Sequence, residues 1–131
     1  IHTFIATSDL HLSLNCAFMF EPLVLGHLDR VAAIVQQQGL RFGFGGVARL
    51  DDGLLTGRDV LAEHVRLGSQ AVILSRTFRD ASTPELLDAQ IEALRATEST
   101  LALRSSAQVE ADRRRIHAVI EQVAQRMKAS A

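Results

Sequence analysis

An acidic residue and a histidine stand two positions apart near the start of the chain. Asp9 and His11 come directly after residues 2–7, whose run of β-branched and aromatic side chains is typical of a buried strand. Carboxylate and imidazole groups bind divalent metals, and both transfer protons in general acid–base catalysis. They form the close titratable pair at a predicted strand end. We therefore predict that Asp9 and His11 are catalytic or bind a divalent metal.

The stretch Ser-Asp-x-His at residues 8–11 resembles the start of metal-dependent phosphoesterases. That resemblance implies further metal ligands in later Gly-Asp and Gly-Asn-His motifs, and neither motif occurs in this chain. Residues 1–9 are also similar to an inner strand of isopropylmalate synthase barrels, which carry a His-Thr-Phe-x-Ala-Thr-Ser segment. Neither resemblance extends past residue 11. The alternative is that Ser8 or Asp9 caps a turn and that His11 is a partly exposed loop residue.

A glycine-rich segment, Gly43-Phe44-Gly45-Gly46, follows a second predicted strand. Glycines let backbone N–H groups approach an anion closely, and arginine binds phosphate or carboxylate with two hydrogen bonds. Two arginines and a serine stand at or after predicted strand ends, where parallel α/β proteins bind ligands. The predicted anion site consists of Gly45, Gly46, Arg49, Ser75 and Arg76. The alternatives are a glycine turn used for packing, and surface ion pairs of the arginines with Asp51, Asp52 or Asp80.

Residues 40–78 resemble the C-terminal quarter of phosphate-binding (β/α)8 barrels. In those families a Gly-x-Gly-Gly loop follows the seventh strand, and a helix and a Gly-Ala turn lead to the eighth. The matching positions are Gly45, Gly46, Ser75 and Arg76, with Gly68-Ser69 in place of Gly-Ala. The resemblance implies that these residues bind a phosphate group. Residues 47–53 make the first loop longer than in the family pattern, so the following helix begins late.

Alternating strand and helix patterns predict an α/β fold with βαβαβα units, a parallel sheet and an added C-terminal helical pair. Predicted strands cover residues 2–7, 40–44 and 70–78, predicted helices cover 22–38, 58–67, 84–97 and 106–128, and residues 8–20 are predicted to be a loop. We expect one domain, with a sheet portion at 1–80 and a helical segment at 81–131 packed on it. Three parallel strands leave two long edges, so we expect either further strands from a longer chain or self-association.

The composition excludes several classes of function. Thirteen of the fourteen basic residues are arginines, and Lys128 is the single lysine, which argues against Schiff-base catalysis and against a phosphate-loop lysine. The net charge of -1 predicts no general attraction to nucleic acid or to a membrane surface. No apolar run is long enough to span a bilayer. One cysteine, Cys16, excludes an internal disulfide and fits a cytoplasmic location.

These patterns together favour part of a (β/α)8 (TIM) barrel enzyme, a homo-oligomer or a piece of a longer chain, that binds a small phosphorylated or carboxylated metabolite. Without a usable lysine, a metal-assisted lyase or aldolase reaction is the expected chemistry. One alternative is a metal-dependent phosphoesterase fragment led by Asp9 and His11. The other is a non-catalytic module that associates through its C-terminal helices. Its apolar stripe would contain Ile116, Ile120, Val123 and Met127.

Overall fold

Three parallel strands form one sheet, in the order β1-β2-β3. The computed structural model describes residues 2–47, 50–51, 53–76 and 83–130. The strands are β1 at His2–Ile5, β2 at Arg41–Val47 and β3 at Ala71–Leu74. Gly43 of the central strand stands opposite Phe4 on one side and opposite Ala71 on the other. The predicted α/β class and the predicted parallel sheet are confirmed.

Six helices lie in the described part of the chain. They are α1 at Thr7–Ser13, α2 at Glu21–Val24, α3 at His27–Gln37, α4 at Gly57–Leu67, α5 at Pro84–Ala102 and α6 at Ser106–Ala129. The side chains of Thr56, Thr83 and Ser105 cap the last three, each accepting a hydrogen bond from a backbone N–H in the first turn. The predicted end of α4 at Gly68 is confirmed, and this glycine has a left-handed φ of 73°.

The segment between β1 and β2 departs from the prediction in two places. The predicted loop at 8–20 begins with α1, a helix in which Leu10 packs against the hydrophobic core. The single helix predicted from Pro22 onward is broken between α2 and α3 at Gly26. Gly26 has a φ of 80°, a left-handed conformation that glycine adopts without steric cost. The chain therefore changes direction at this glycine.

The glycine-rich segment lies inside β2, which extends to Val47, so the prediction that the strand ends at residue 44 is wrong. A Cβ atom at Gly43 would lie 2.6 Å from the carbonyl oxygen of Ala71, so the absence of a side chain allows β2 and β3 to approach. Gly45 has a φ of 50°, and a Cβ atom there would lie 2.9 Å from Thr7 Oγ1. The pairing with β3 shifts register between Gly43 and Gly46, as in a β-bulge. Packing against neighbours thus accounts for two of these glycines.

The two faces of the sheet differ in what covers them. Phe42, Phe44 and Val47 are buried in the core beneath the helices, and α3 and α4 both contact β2. On the other face, the side chains of Phe4 and Ile73 are 41% and 57% exposed. Right-handed crossovers between consecutive neighbouring strands place the connecting helices on one side. Within the described residues, one face is therefore packed by helices and the other presents apolar side chains.

The two C-terminal helices pack on the helices that cover the sheet. α5 contacts α4, and α6 contacts both α4 and α2. Ile116 and Ile120 are fully buried in the core of this chain. In the alternative of a non-catalytic module, these two side chains would contact a partner together with Val123 and Met127. Because the chain itself already covers Ile116 and Ile120, the predicted stripe does not form a free interface.

Candidate functional site

The C-terminal ends of the three strands lie along one edge of the sheet, because the strands are parallel. Thr7 follows β1, Gly45 and Gly46 lie near the end of β2, and Ser75 and Arg76 follow β3. We call these five residues the carboxyl edge. The Ser75 backbone N–H donates to the Val47 carbonyl oxygen at 3.0 Å, which keeps the chain beside β2 as it leaves β3. Ligands of parallel α/β proteins bind at such edges.

Four of the five residues of the predicted anion site belong to the carboxyl edge. Gly45 is buried against Thr7 and Phe20, Ser75 is partly exposed, and Arg76 is exposed. The fifth residue, Arg49, lies outside the described residues. The structure therefore brings together Gly45, Gly46, Ser75 and Arg76, and their role in anion binding stays a prediction.

The alternative for the arginines was pairing with nearby aspartates. Asp51 pairs with Arg58, whose Nη2 lies 3.3 Å from Asp51 Oδ1. Both side chains are largely exposed, so this ion pair contributes little to stability. Asp52 and Asp80 lie outside the described residues.

The structure does not bring Asp9 and His11 together. Both residues lie in α1, where positions two apart point to different sides of the helix. Asp9 is exposed, and His11 Nδ1 lies 3.2 Å from the Thr7 carbonyl oxygen one turn earlier. Two ligands can converge on one ion when they follow a strand in a loop, but α1 replaces the loop that this expectation assumed. Among the described residues, no three His, Cys, Asp or Glu side chains are placed to hold a metal ion together.

Thr7 is a residue of the carboxyl edge that the sequence analysis did not identify. Its side chain is 1% exposed, and Oγ1 has no hydrogen-bond partner among the described residues. A buried hydroxyl without a partner costs free energy and usually has a specific reason. The signal available in the sequence was a hydroxyl residue directly after the apolar run Phe4-Ile5-Ala6.

An ionic cluster with a buried carboxylate joins three helices, α3, α4 and α6. Glu63 of α4 is 1% exposed, and its carboxylate accepts hydrogen bonds from Arg66 Nε and from His117 Nε2, both at 2.6 Å. Arg66 also donates to Asp29 of α3 at 2.8 Å. Burial alone would raise the pKa of Glu63, but the hydrogen bonds from His117 and Arg66 outweigh it and lower the pKa. We name Asp29, Glu63, Arg66 and His117 the helix cluster.

The contacts of the helix cluster connect helices to one another. Each charged group in it has a partner of opposite charge or a hydrogen-bond donor, and the contacts connect α3, α4 and α6. A second arginine contact adds to these connections, because Arg115 Nη2 of α6 lies 2.9 Å from Asp59 Oδ1 of α4. Sequence analysis did not predict any of these pairs. Apart from Glu63 and Arg66, which stand three positions apart in α4, the partners are far apart in the chain and no local pattern connects them.

Comparisons with protein-family models, with curated proteins and with solved structures find no significant match to this chain. In the described part of the chain, none of the helices combines the length and the apolar character that crossing a membrane requires.

Proposed function

We propose that this chain binds a small phosphorylated or carboxylated metabolite at the carboxyl edge, as part of a (β/α)8-type enzyme. The observation that supports this proposal is the placement of Ser75 and the exposed Arg76 directly after β3, at the same edge of the sheet as Gly45 and Gly46 of β2. An arginine side chain suits a phosphate or carboxylate group, because its planar fork donates two parallel hydrogen bonds.

The packing of helices on one face of the sheet supports the proposal of a (β/α)8-type fold. In a (β/α)8 barrel the helices lie outside, and the inner faces of the strands meet in a packed interior. Here the helices pack on one face, and Phe4 and Ile73 stand on the other. The consecutive strand order is also the order of a barrel wall.

The proposal does not include a step through a metal. A lyase or aldolase reaction without a usable lysine needs another group to polarise a carbonyl, and the sequence suggested a metal at Asp9 and His11. These residues do not fit that role in α1, since their side chains diverge around the helix. Lys128 is not placed to take the role of a metal at the carboxyl edge, because its Nζ lies 3.8 Å from Glu21 Oε2, where α6 meets α2.

Thermal unfolding with and without inorganic phosphate tests the proposal. A ligand that binds only the folded state raises the unfolding midpoint, and phosphate at about ten times its Kd would raise it by about 5 °C for a domain of this size. We expect this rise in the wild type and its loss in Arg76→Ala. Sodium chloride at equal ionic strength serves as the control for salt effects.

Arg41→Ala is the matched control variant. Arg41 is an exposed arginine at the start of β2, at the opposite end of the sheet. The variant Arg41→Ala should therefore keep the rise in unfolding midpoint that phosphate causes. An equal phosphate response in Arg76→Ala and Arg41→Ala, or none in the wild type, would refute the anion site. A parallel series with Mn²⁺ and Zn²⁺ tests the sequence-based expectation of a metal at Asp9, with Asp9→Asn as the variant.

A further inference from the structure

A cavity of about 380 Å³ lies between α4, β3 and α5. Leu61, Val72 and Leu94 form part of its apolar wall, and His64 and Ser69 contribute polar groups. Pockets that bind small molecules have volumes from about 300 Å³ upward and combine apolar walls with a few polar groups. His64 and Ser69 precede β3, whereas Ser75 and Arg76 follow it, so this cavity is separate from the carboxyl edge.

The hydrogen bonds of His64 determine what its imidazole can offer. The Ser69 hydroxyl donates to the Ala71 carbonyl oxygen at 3.2 Å, and Ser69 Oγ lies 2.7 Å from His64 Nδ1. We assign the hydroxyl hydrogen to the Ala71 carbonyl oxygen, and with this assignment Nδ1 is the donor to Ser69. A neutral imidazole that carries its hydrogen on Nδ1 presents a lone pair on Nε2. His64 Nε2 is therefore a hydrogen-bond acceptor.

This acceptor has no partner among the described residues, although His64 is only 2% exposed. The Nδ1 side of the ring is occupied by Ser69, and one ring face is covered by Phe44, with the centroids 3.9 Å apart. His64 lines the cavity, and Nε2 is the polar atom of its ring that lacks a partner among the described residues. Burial lowers the pKa of His64 to about 3, against the opposing charge of Glu63, so the ring is neutral near pH 7.

We propose that this cavity binds a small neutral molecule with an apolar body and a hydroxyl group, which donates a hydrogen bond to His64 Nε2. The charges at the cavity support a neutral ligand. Arg95 and Glu98 both line it and pair with each other, with Arg95 Nη1 3.3 Å from Glu98 Oε2. Their charges compensate, so neither an anion nor a cation is favoured.

Phenol and toluene are matched probes for this site, since they are similar in size and differ in the hydroxyl group. NMR titration of the wild-type chain measures both affinities, and the ¹⁵N chemical shift of His64 Nε2 reports hydrogen bonding at that atom. We expect phenol to bind about tenfold more tightly than toluene, which corresponds to one hydrogen bond. We also expect phenol, and not toluene, to move the Nε2 signal.

The variant His64→Phe keeps an aromatic ring on Phe44 and removes the acceptor. It should bind toluene and lose the preference for phenol. Ser69→Ala is a second variant that leaves the ring in place but frees Nδ1, so the hydrogen can move to Nε2 and the preference should weaken. Equal wild-type affinities for phenol and toluene, an unmoved Nε2 signal, or no binding of either probe would each overturn the proposal. The wild-type measurements decide this even if neither variant folds.

Discussion

The imidazole ring of His64 lies flat on the phenyl ring of Phe44, with the centroids 3.9 Å apart and the planes within 3° of parallel. This contact joins α4 to the central strand, and both side chains are buried. A neutral imidazole can occupy such a position, but a protonated ring would lose its hydration without gaining a partner of opposite charge in direct contact. The stacked pair therefore makes the packing of α4 on β2 sensitive to pH.

We expect the free energy of unfolding to fall as the pH drops below about 6.5, in part because of His64. Burial lowers the pKa of this histidine from 6.5 to about 3, with the Glu63 charge acting in the opposite direction. Between these values the unfolded chain binds a proton that the folded chain does not. The contribution of His64 is therefore complete above the unfolded pKa and is lost at about 1.4 kcal/mol per pH unit below it.

Urea unfolding across this pH range measures the effect. His64→Phe should show a pH slope that is smaller by one proton, and Ser69→Ala, which retains the imidazole, should keep the wild-type slope. Identical slopes in the wild type and His64→Phe would contradict the stated burial of a neutral ring.

Glu63→Gln should destabilise the fold by about 3 kcal/mol at neutral pH, since it leaves two donors of the helix cluster without their carboxylate. Glu63 is 1% exposed and accepts hydrogen bonds from Arg66 and His117. Chemical denaturation gives the free energy. Glu98→Gln removes an exposed carboxylate that pairs with Arg95, and it should cost less than about 1 kcal/mol.

The charge of Glu63 also has a defined pH window. Its pKa is lowered in the folded state, so its contribution is complete above the ordinary value of 4.5 and is lost as the pH falls through the lower folded value. Glu63→Gln should therefore be less sensitive to acid than the wild type in this range. Equal losses of stability in the two proteins would show that the carboxylate is not held charged in the folded state.

Gly43→Ala should cost about 2 kcal/mol or more, because the new methyl group would lie 2.6 Å from the backbone oxygen of Ala71. The oxygen belongs to the adjacent strand and cannot move without disturbing the sheet. At Gly46 the corresponding contact, with the Ile73 oxygen, is 3.3 Å, and φ is not positive, so Gly46→Ala should cost less. Denaturation midpoints of the two variants give the comparison, and equal costs would be evidence against the close approach at Gly43.

Local sequence signals predicted the parts of the fold that depend on local chemistry. The start of α5 at Pro84, the end of α4 at Leu67 and the alternation of strand and helix are all confirmed. The end of β2 was not predictable in this way. Glycine disfavours a strand on its own, and at Gly43 the favourable factor is the backbone of β3, far along the chain.

In the candidate site, too, some features follow from local sequence signals and others depend on distant parts of the chain. Strand positions placed Gly45, Gly46, Ser75 and Arg76 at one edge, because the ends of parallel strands coincide. The pairing of Asp9 with His11 assumed a loop, and α1 turns these side chains apart. The contacts of the helix cluster between α3, α4 and α6 depend on which helix faces which, and a single sequence carries no direct signal for this.

The contact of α6 with α2 has a consequence for synthesis on the ribosome. Leu23 of α2 and Ala124 of α6 are both buried, and the two helices pack together although most of the chain separates them. β1, β2 and β3 emerge earlier and can associate as each one appears. The part of the α2 surface that α6 covers stays exposed until α6 has been made, so the packing of α2 is completed only after the last helix has been synthesised.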